Sequence, residues 1–511
     1  MAGSPHEDEA QAPAPAPLDP SAVRSIIAGI MLAMFLSALE QTIIAPALPT
    51  IGVRLGDIEN LSWVVGAYLL SATAVTPLFG KLSDIYGRRC ILLTGVTIFM
   101  VGSAACALAP TLWALAAARA LQGIGGGGIL PIAQAIIADL VSPRERPRYQ
   151  AQSAVMFMMA SIIGPVLGGF LTDHLHWSLI FWINVPMGGL ALVMTYRALE
   201  RLPRNERPHR LDWAGVVLMV GAALALMLAM AWGGVRYPWG SPPILLLIAG
   251  SAALWTLFAW RLMAAAEPFI PPSVLRQPVV AGCVTAGFFS IGAMIGLSMY
   301  LPLYLELVLG ASASIAGLVL IAFTVGTVTG SFAAGRALGH HTHYLRMPMA
   351  GLLVAILVLA AMALFGASLS LGGVAGLLFL CGGGIGPMYP MTTVLIQNAV
   401  EPHQFGVATG TLNFFRLLGG TIVVAGFGAI VLGAIDAAGG RIVIEPLSRD
   451  VLRPQAIFSD FAVAFSWIFA AAGLCLTVAL AALAFVEERP LRGPATAQPQ
   501  AAADEPRLAA E

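Results

Sequence analysis

Fourteen apolar runs account for most of this chain, and each is close to the roughly 20 apolar residues that a helix needs to cross the hydrocarbon core of a bilayer. They lie near 25–46, 61–79, 90–109, 112–138, 152–173, 177–197, 212–232, 242–262, 279–303, 313–333, 347–365, 370–392, 405–433 and 461–486. Little chain is left over for a soluble domain. Only 10% of the residues are charged, where soluble domains carry about 25%. The expected fold class is therefore an all-α membrane protein with 14 transmembrane helices, and its first partner is the lipid bilayer.

Arginine and lysine orient the spans. Of 26 such residues, 19 fall in the even-numbered loops and the two tails, against 5 in the odd-numbered loops. Positive residues stay on the cytoplasmic side, so both termini are expected inside, with the protein multi-pass in the cytoplasmic (inner) membrane. The remaining two, Arg119 and Arg416, sit inside spans. Residues 1–24 and 487–511 read as disordered cytoplasmic tails. The first has no basic n-region, and the apolar run after it is too long for a signal-peptide core, so that run is expected to be retained.

Several function classes fall away. Net charge is +0 and the only lysine is Lys81, so there is no basic face for nucleic acid. The tract GIGGGG has no GK[ST] ending, which argues against a phosphate cradle and an ATP-driven pump. No nucleophile triad is evident, so an enzyme is not expected. HHTH at 340–343 and DHLH at 173–176 can touch a metal, but both read as loops and neither is favoured as a site. The five cysteines show no CxxC spacing and read as small buried hydrophobes. The connection between spans thirteen and fourteen contains RIVIE, either a short hairpin or a plain connector.

Local patterns recur in two halves. Pairing Gly80 with Gly335, Gly126 with Gly383 and Gly168 with Gly419 gives offsets of 255, 257 and 251 residues. The chain thus divides into a six-helix half at 25–198, an insertion at 199–278 carrying two linker helices, and a second six-helix half at 279–486. Repeated bundles of this kind place substrate and ion sites near the midplane between the repeats.

Four ordered motifs carry a family resemblance. GKLSDIYGRR (80–89), ARALQGIGGG (118–127), ASIIGPVLGG (160–169) and LEQTIIAPALP (39–49) together resemble the major facilitator superfamily, in particular its fourteen-span drug:proton antiporter branch of the EmrB/QacA type. The resemblance covers nearly the whole chain apart from the tails. It implies the major facilitator fold, two six-helix halves plus two inserted helices. It also implies that Gly80, Asp84, Gly87 and Arg88 latch the halves on the cytoplasmic side, and that Gly164, Pro165, Gly168 and Gly169 form an antiporter motif that limits leak. Glu40 stands where the branch more often has Asp, Ser178 where relatives often have Arg, and Ala322 where proline is common.

The residues themselves support a coupling role. A carboxylate at bilayer depth costs about 2.5–3.5 kcal/mol on insertion scales, a cost that taking up a proton relieves. Glu40 lies about 15 residues, roughly 22 Å, into the first span, and Arg119 about 7 residues, roughly 10 Å, below the outer end of the fourth. The two thus stand at similar depth and can pair, with Gln122 one turn from Arg119 extending the polar cluster. A static salt bridge that merely fixes packing is the plainer reading. Glu306 is the repeat-related candidate at the outer end of span nine, better read as a vestibule charge than as a buried carrier. Arg416, close to the midplane, can hold an anionic substrate group, balance a carboxylate, or join a structural pair. Around Gly80 and Gly87 the chain is expected to turn sharply, with Asp84 capping a helix or pairing with Arg88.

The function these readings support is a proton-coupled antiporter that exports a small amphipathic substrate by alternating access. It would have no cofactor beyond the proton gradient, and the proton and substrate would compete for Glu40, directly or through conformation. A monomer is expected, and a periplasmic accessory protein stays open. A dedicated exporter of one metabolite, siderophore or antibiotic shares the same features. A non-transporting receptor or scaffold is the reading of another class, and it fits motifs built for gating poorly.

Overall fold

A computed structural model describes residues 20–57, 60–142, 145–198, 211–265, 267–338, 344–437 and 455–488. Most of both tails, the histidines at 340–343 and the RIVIE stretch lie outside the described residues. The first half comprises α1 (Pro20–Ile43), α2 (Leu48–Leu55), α3 (Ser62–Tyr86), α4 (Arg88–Ala107), α5 (Leu112–Leu140), α6 (Arg146–His174), α7 (Leu179–Trp182) and α8 (Asn184–Ala198). Then come α9 (Trp213–Trp232), α10 (Pro242–Ala264) and the single turn α11 (Pro272–Leu275). The second half comprises α12 (Pro278–Leu307), α13 (Ala313–Leu338), α14 (Arg346–Phe365), α15 (Leu371–Ile385), α16 (Met388–Ala399), α17 (Phe405–Ala437) and α18 (Gln455–Ala484). Among the described residues, 14 helical stretches are long and apolar enough to cross a membrane.

Several spans run longer than the apolar pattern suggests, two of them at a visible irregularity in the helix. The first extends over Ser25–Leu55, because Pro46, which lacks an amide hydrogen, turns the chain through a 3-10 segment at Ala45–Ala47 without ending the span. The twelfth covers Leu371–Ala399 and is broken between Ile385 and Met388, so α16 starts a new helix at depth.

The repeat is visible in the packing. α3 and α4 pack on α5, as α13 and α14 pack on α15; α1 packs on α6 and α8, as α12 packs on α17 and α18. Between halves, α3 meets α17 and α6 meets α13, which places the interface on a pseudo-twofold. The inserted α9 and α10 pair with each other, and α9 rests on both α3 and α17. Buried Val216 and Met219 of α9 join Val407 of α17 in one apolar cluster, while Ala223 and Met227 join Phe414 and Leu418 in another.

The glycine tracts set helix separation. A Cβ on Gly127 would overlap the carbonyl of Ala72 in α3, and one on Gly386 that of Thr327 in α13, so in each half these segments touch backbone to backbone. Two cysteines depart from the buried expectation, Cys475 being half-buried. Cys90 is exposed, because the inward face of α4 is made by Ile91, Leu92, Gly95, Val96 and Phe99.

Candidate functional site

The first element of the site is a closed polar cluster near the end of α1. Glu40, Arg119, Gln122, Ser103 and Asn184 come from α1, α5, α5, α4 and α8 and are all buried to within 1%. Arg119 Nη1 donates to Glu40 Oε1, forming an ion pair, and also to Gln122 Oε1 at 2.6 Å, while its Nε donates to the Val64 carbonyl at 2.9 Å. Asn184 Nδ2 donates to Glu40 Oε2 and, at 3.2 Å, to Ser103 Oγ. Gln122 Nε2 donates to the same Ser103 oxygen at 2.6 Å. Each charge is thus paired and hydrogen-bonded, the condition under which a buried ion pair is tolerated. Sequence reasoning placed Glu40, Arg119 and Gln122 but missed Ser103 and Asn184, which are neutral and unremarkable in an apolar span. Asn184→Ala leaves Glu40 Oε2 without this donor, so a loss of about 1–3 kcal/mol is expected, read as a lower melting temperature of the purified protein.

The second element is a cavity of about 370 Å³ between the halves. Its wall draws on α1, α3, α5 and α6 from one half and α12, α13, α16 and α17 from the other, with Met34, Phe157, Met158, Met294 and Phe323 giving it an apolar, adaptable surface. None of Glu40, Arg119 and Gln122 lines it. Direct competition of substrate and proton at Glu40 is therefore not what the geometry offers. Tyr68 stands between: it lines the cavity, and the Arg119 guanidinium lies 4.5 Å from its ring centre. Arg416 does reach the cavity wall. Glu306 is exposed at the end of α12, away from the cavity lining.

The third element joins the halves where α3 meets the start of α17. Gly80 is helical, not the turn expected from sequence. Its use is contact: a Cβ there would collide with the carbonyl of Gly406 at the start of α17. The turn falls at Gly87 alone, whose φ of 89° lies in the left-handed region that favours glycine. Asp84 accepts from the backbone N–H groups of Gly406 at 2.9 Å and Val407 at 2.7 Å, so its carboxylate caps the positive end of α17 across the interface. Arg88 pairs with Asp84 and, through Nε at 3.0 Å, with Asp139. Nearby, Gln134 of α5 donates to the Tyr389 hydroxyl at 3.1 Å, and its side-chain oxygen accepts from Asn413 Nδ2 at 2.7 Å.

In the glycine–proline motif of α6, a Cβ on Gly164 or Gly168 would overlap Thr42 or Ile43 of α1, just beyond Glu40, and Thr42 Oγ1 donates to the Ala160 carbonyl at 2.8 Å. Pro165 is exposed and Gly169 has room beside it, so two of the four residues make the contact. His174 and His176 of DHLH bond to the Phe170 carbonyl and to Ser178 Oγ.

Fourteen candidate spans in two packed repeats, with a cavity between the halves, define a multi-pass membrane protein of the repeated-bundle class. The family model of the Major Facilitator Superfamily matches residues 30–424, and the chain belongs to that superfamily. It is 37% identical over 424 residues to the uncharacterized MFS-type transporter Rv1877 of Mycobacterium tuberculosis, a match covering 82% of this chain and 61% of that one, so the chain spans less than two thirds of that relative's length. It is 32% identical over 426 residues to the multidrug transporter protein MdtP of Bacillus subtilis, covering 83% of this chain and 77% of the relative. In fold it is similar to the human organic anion transporter MFSD10, with a TM-score of 0.62 and 17% identity over 90% of this chain and 100% of the other.

Proposed function

We propose that the chain exports amphipathic small molecules across the cytoplasmic membrane in exchange for protons, with both termini cytoplasmic. The observation that carries this reading is the buried Glu40–Arg119 pair, one aromatic ring away from an apolar cavity between the halves. Likeness to a protein named a multidrug transporter supports the export of drug-like compounds.

Protonation of Glu40 removes the counter-charge of Arg119. The guanidinium then redistributes its hydrogen bonds among Gln122, the Val64 carbonyl and the ring of Tyr68, and the shift in Tyr68 reaches the cavity wall. At the other end, release of Asp84 from the α17 N-terminus opens the latch. Each charge moved through 100 mV supplies about 2.3 kcal/mol, enough to bias a two-state equilibrium of this kind.

The test is proton release from the full chain in liposomes, with ethidium and 11-(dansylamino)undecanoate as probe substrates. Substrate movement accompanied by a stoichiometric pH change is expected. Transport that leaves the pH dye unmoved removes the antiport part of the reading, and no transport of any amphipathic probe removes export.

A further inference from the structure

The two intramembrane arginines are held in opposite ways. Arg119 has a carboxylate partner and no place on the cavity wall. Arg416 has a place on the wall, is 2% exposed, and pairs with no carboxylate among the described residues. Its neighbours are neutral oxygens: Nη1 donates to Asn413 Oδ1 at 3.0 Å, and Nη2 contacts the Tyr389 carbonyl at 2.8 Å, Thr392 Oγ1 at 2.6 Å and Thr393 Oγ1 at 3.1 Å. The guanidinium carbon lies 4.4 Å from the Tyr389 ring centre, and Nε has no hydrogen-bond partner. Such oxygens orient the guanidinium and offset part of its desolvation, but they do not neutralise it, and buried charges are normally paired.

The rest of the wall points the same way. Among the described residues that line the cavity, Arg416 is the only charged one, the other polar members being serine, threonine, tyrosine, glutamine and asparagine. The break before Met388 brings the first turn of α16, including cavity-lining Tyr389, to the same place, and a helix N-terminus at bilayer depth favours negative charge. A cationic amphiphile would find one positive charge and no carboxylate among the described residues of this lining.

We propose that Arg416 is the anchor for the acidic group of the substrate, so that the exported class is amphipathic organic anions, the carboxylate or sulfonate meeting Arg416 and the apolar body lying against Met34, Phe157 and Met294. This assignment rests on the export reading above. It makes Tyr389, Thr392, Thr393 and Asn413 positioning residues, since they hold the guanidinium fork through which an oxyanion is read.

The experiment is a fluorescence titration of the full chain in lipid nanodiscs, with protein-free discs subtracted. Its probes are 11-(dansylamino)undecanoic acid, the corresponding carboxamide, and ethidium. The acid is expected to bind about tenfold or more tightly than the carboxamide, the worth of one charge-assisted hydrogen bond. Arg416→Gln is expected to erase that difference without weakening the carboxamide, and Arg416→Lys to keep part of it, having the charge without the fork. Equal binding of acid and carboxamide by the wild type overturns the proposal, and this comparison does not depend on any variant folding. Equal weakening of all three probes by Arg416→Gln overturns it too, since that marks a structural arginine. Ethidium export coupled to protons, with the acid unbound, would sink the anion assignment and leave export standing. Acid binding that depends on Arg416, with no probe crossing a liposome membrane, would do the reverse.

Discussion

Glu40→Gln is expected to reduce substrate-driven proton release to the level of empty liposomes while the protein stays folded. Glutamine keeps the shape of the carboxyl group: its oxygen can still accept from Arg119, and its amide nitrogen can donate to Asn184 Oδ1, which has no partner in the wild type, once the Asn184 amide flips, so the cluster that joins α1, α4, α5 and α8 survives. It can no longer gain or lose a proton, so the charge on Arg119 is never alternately balanced and exposed. Substrate affinity is expected to change little, because Glu40 lies off the cavity wall. Normal proton exchange by this variant would end the coupling reading. Arg119→Ala breaks the same ion pair from the other side, stranding a buried carboxylate where Glu40→Gln leaves a buried guanidinium held by neutral oxygens. A loss of about 3–5 kcal/mol is expected, and the double variant Glu40→Gln with Arg119→Ala should recover a large part of it. Denaturant unfolding of the single and double variants measures that recovery, and strictly additive losses would mean that the two charges do not depend on one another.

Gly80→Val is expected to hold the latch open. The added side chain meets the Gly406 carbonyl, which is backbone and cannot swing aside. Overpacking at such a contact costs about 1–3 kcal/mol, and the cost falls only on the arrangement in which α3 and α17 touch. The balance between latched and unlatched forms then shifts about 5- to 150-fold. With cysteine in place of Thr76, which lines the cavity, labelling by an impermeant maleimide from the latch side should rise and transport should fall. Unchanged labelling and unchanged transport together would show that this contact does not govern the cycle.

Much of this was legible from residues alone because the signals are local. Apolar runs give the spans, glycine spacing gives the repeat, and counting along helices brings Glu40 level with Arg119. What stayed hidden depends on a partner helix. Gly80 looks like a turn residue until α17 lies against it. Tyr68, Ser103 and Asn184 carry no charge, and nothing in their own neighbourhoods separates them from the many neutral polar residues that merely bond back to their own helix, as Thr94 and Thr97 do. Likewise, an isolated Arg416 gives no hint that its neighbours are neutral, which emerges only when α16 and α17 pack together.

The inserted hairpin has a mechanical meaning. Its α9 rests on α3 and α17, one from each half, along one of the two lines where the halves meet. Any motion that parts α3 from α17 must shear one of them, or both, against Val216, Met219 and Met227. The insert's main contacts do not lie on the opposite line, between α6 and α13. The halves are related by a twofold in sequence and packing, but the insert breaks it: one seam carries a splint, and parting the halves there is expected to cost more than parting them at the other.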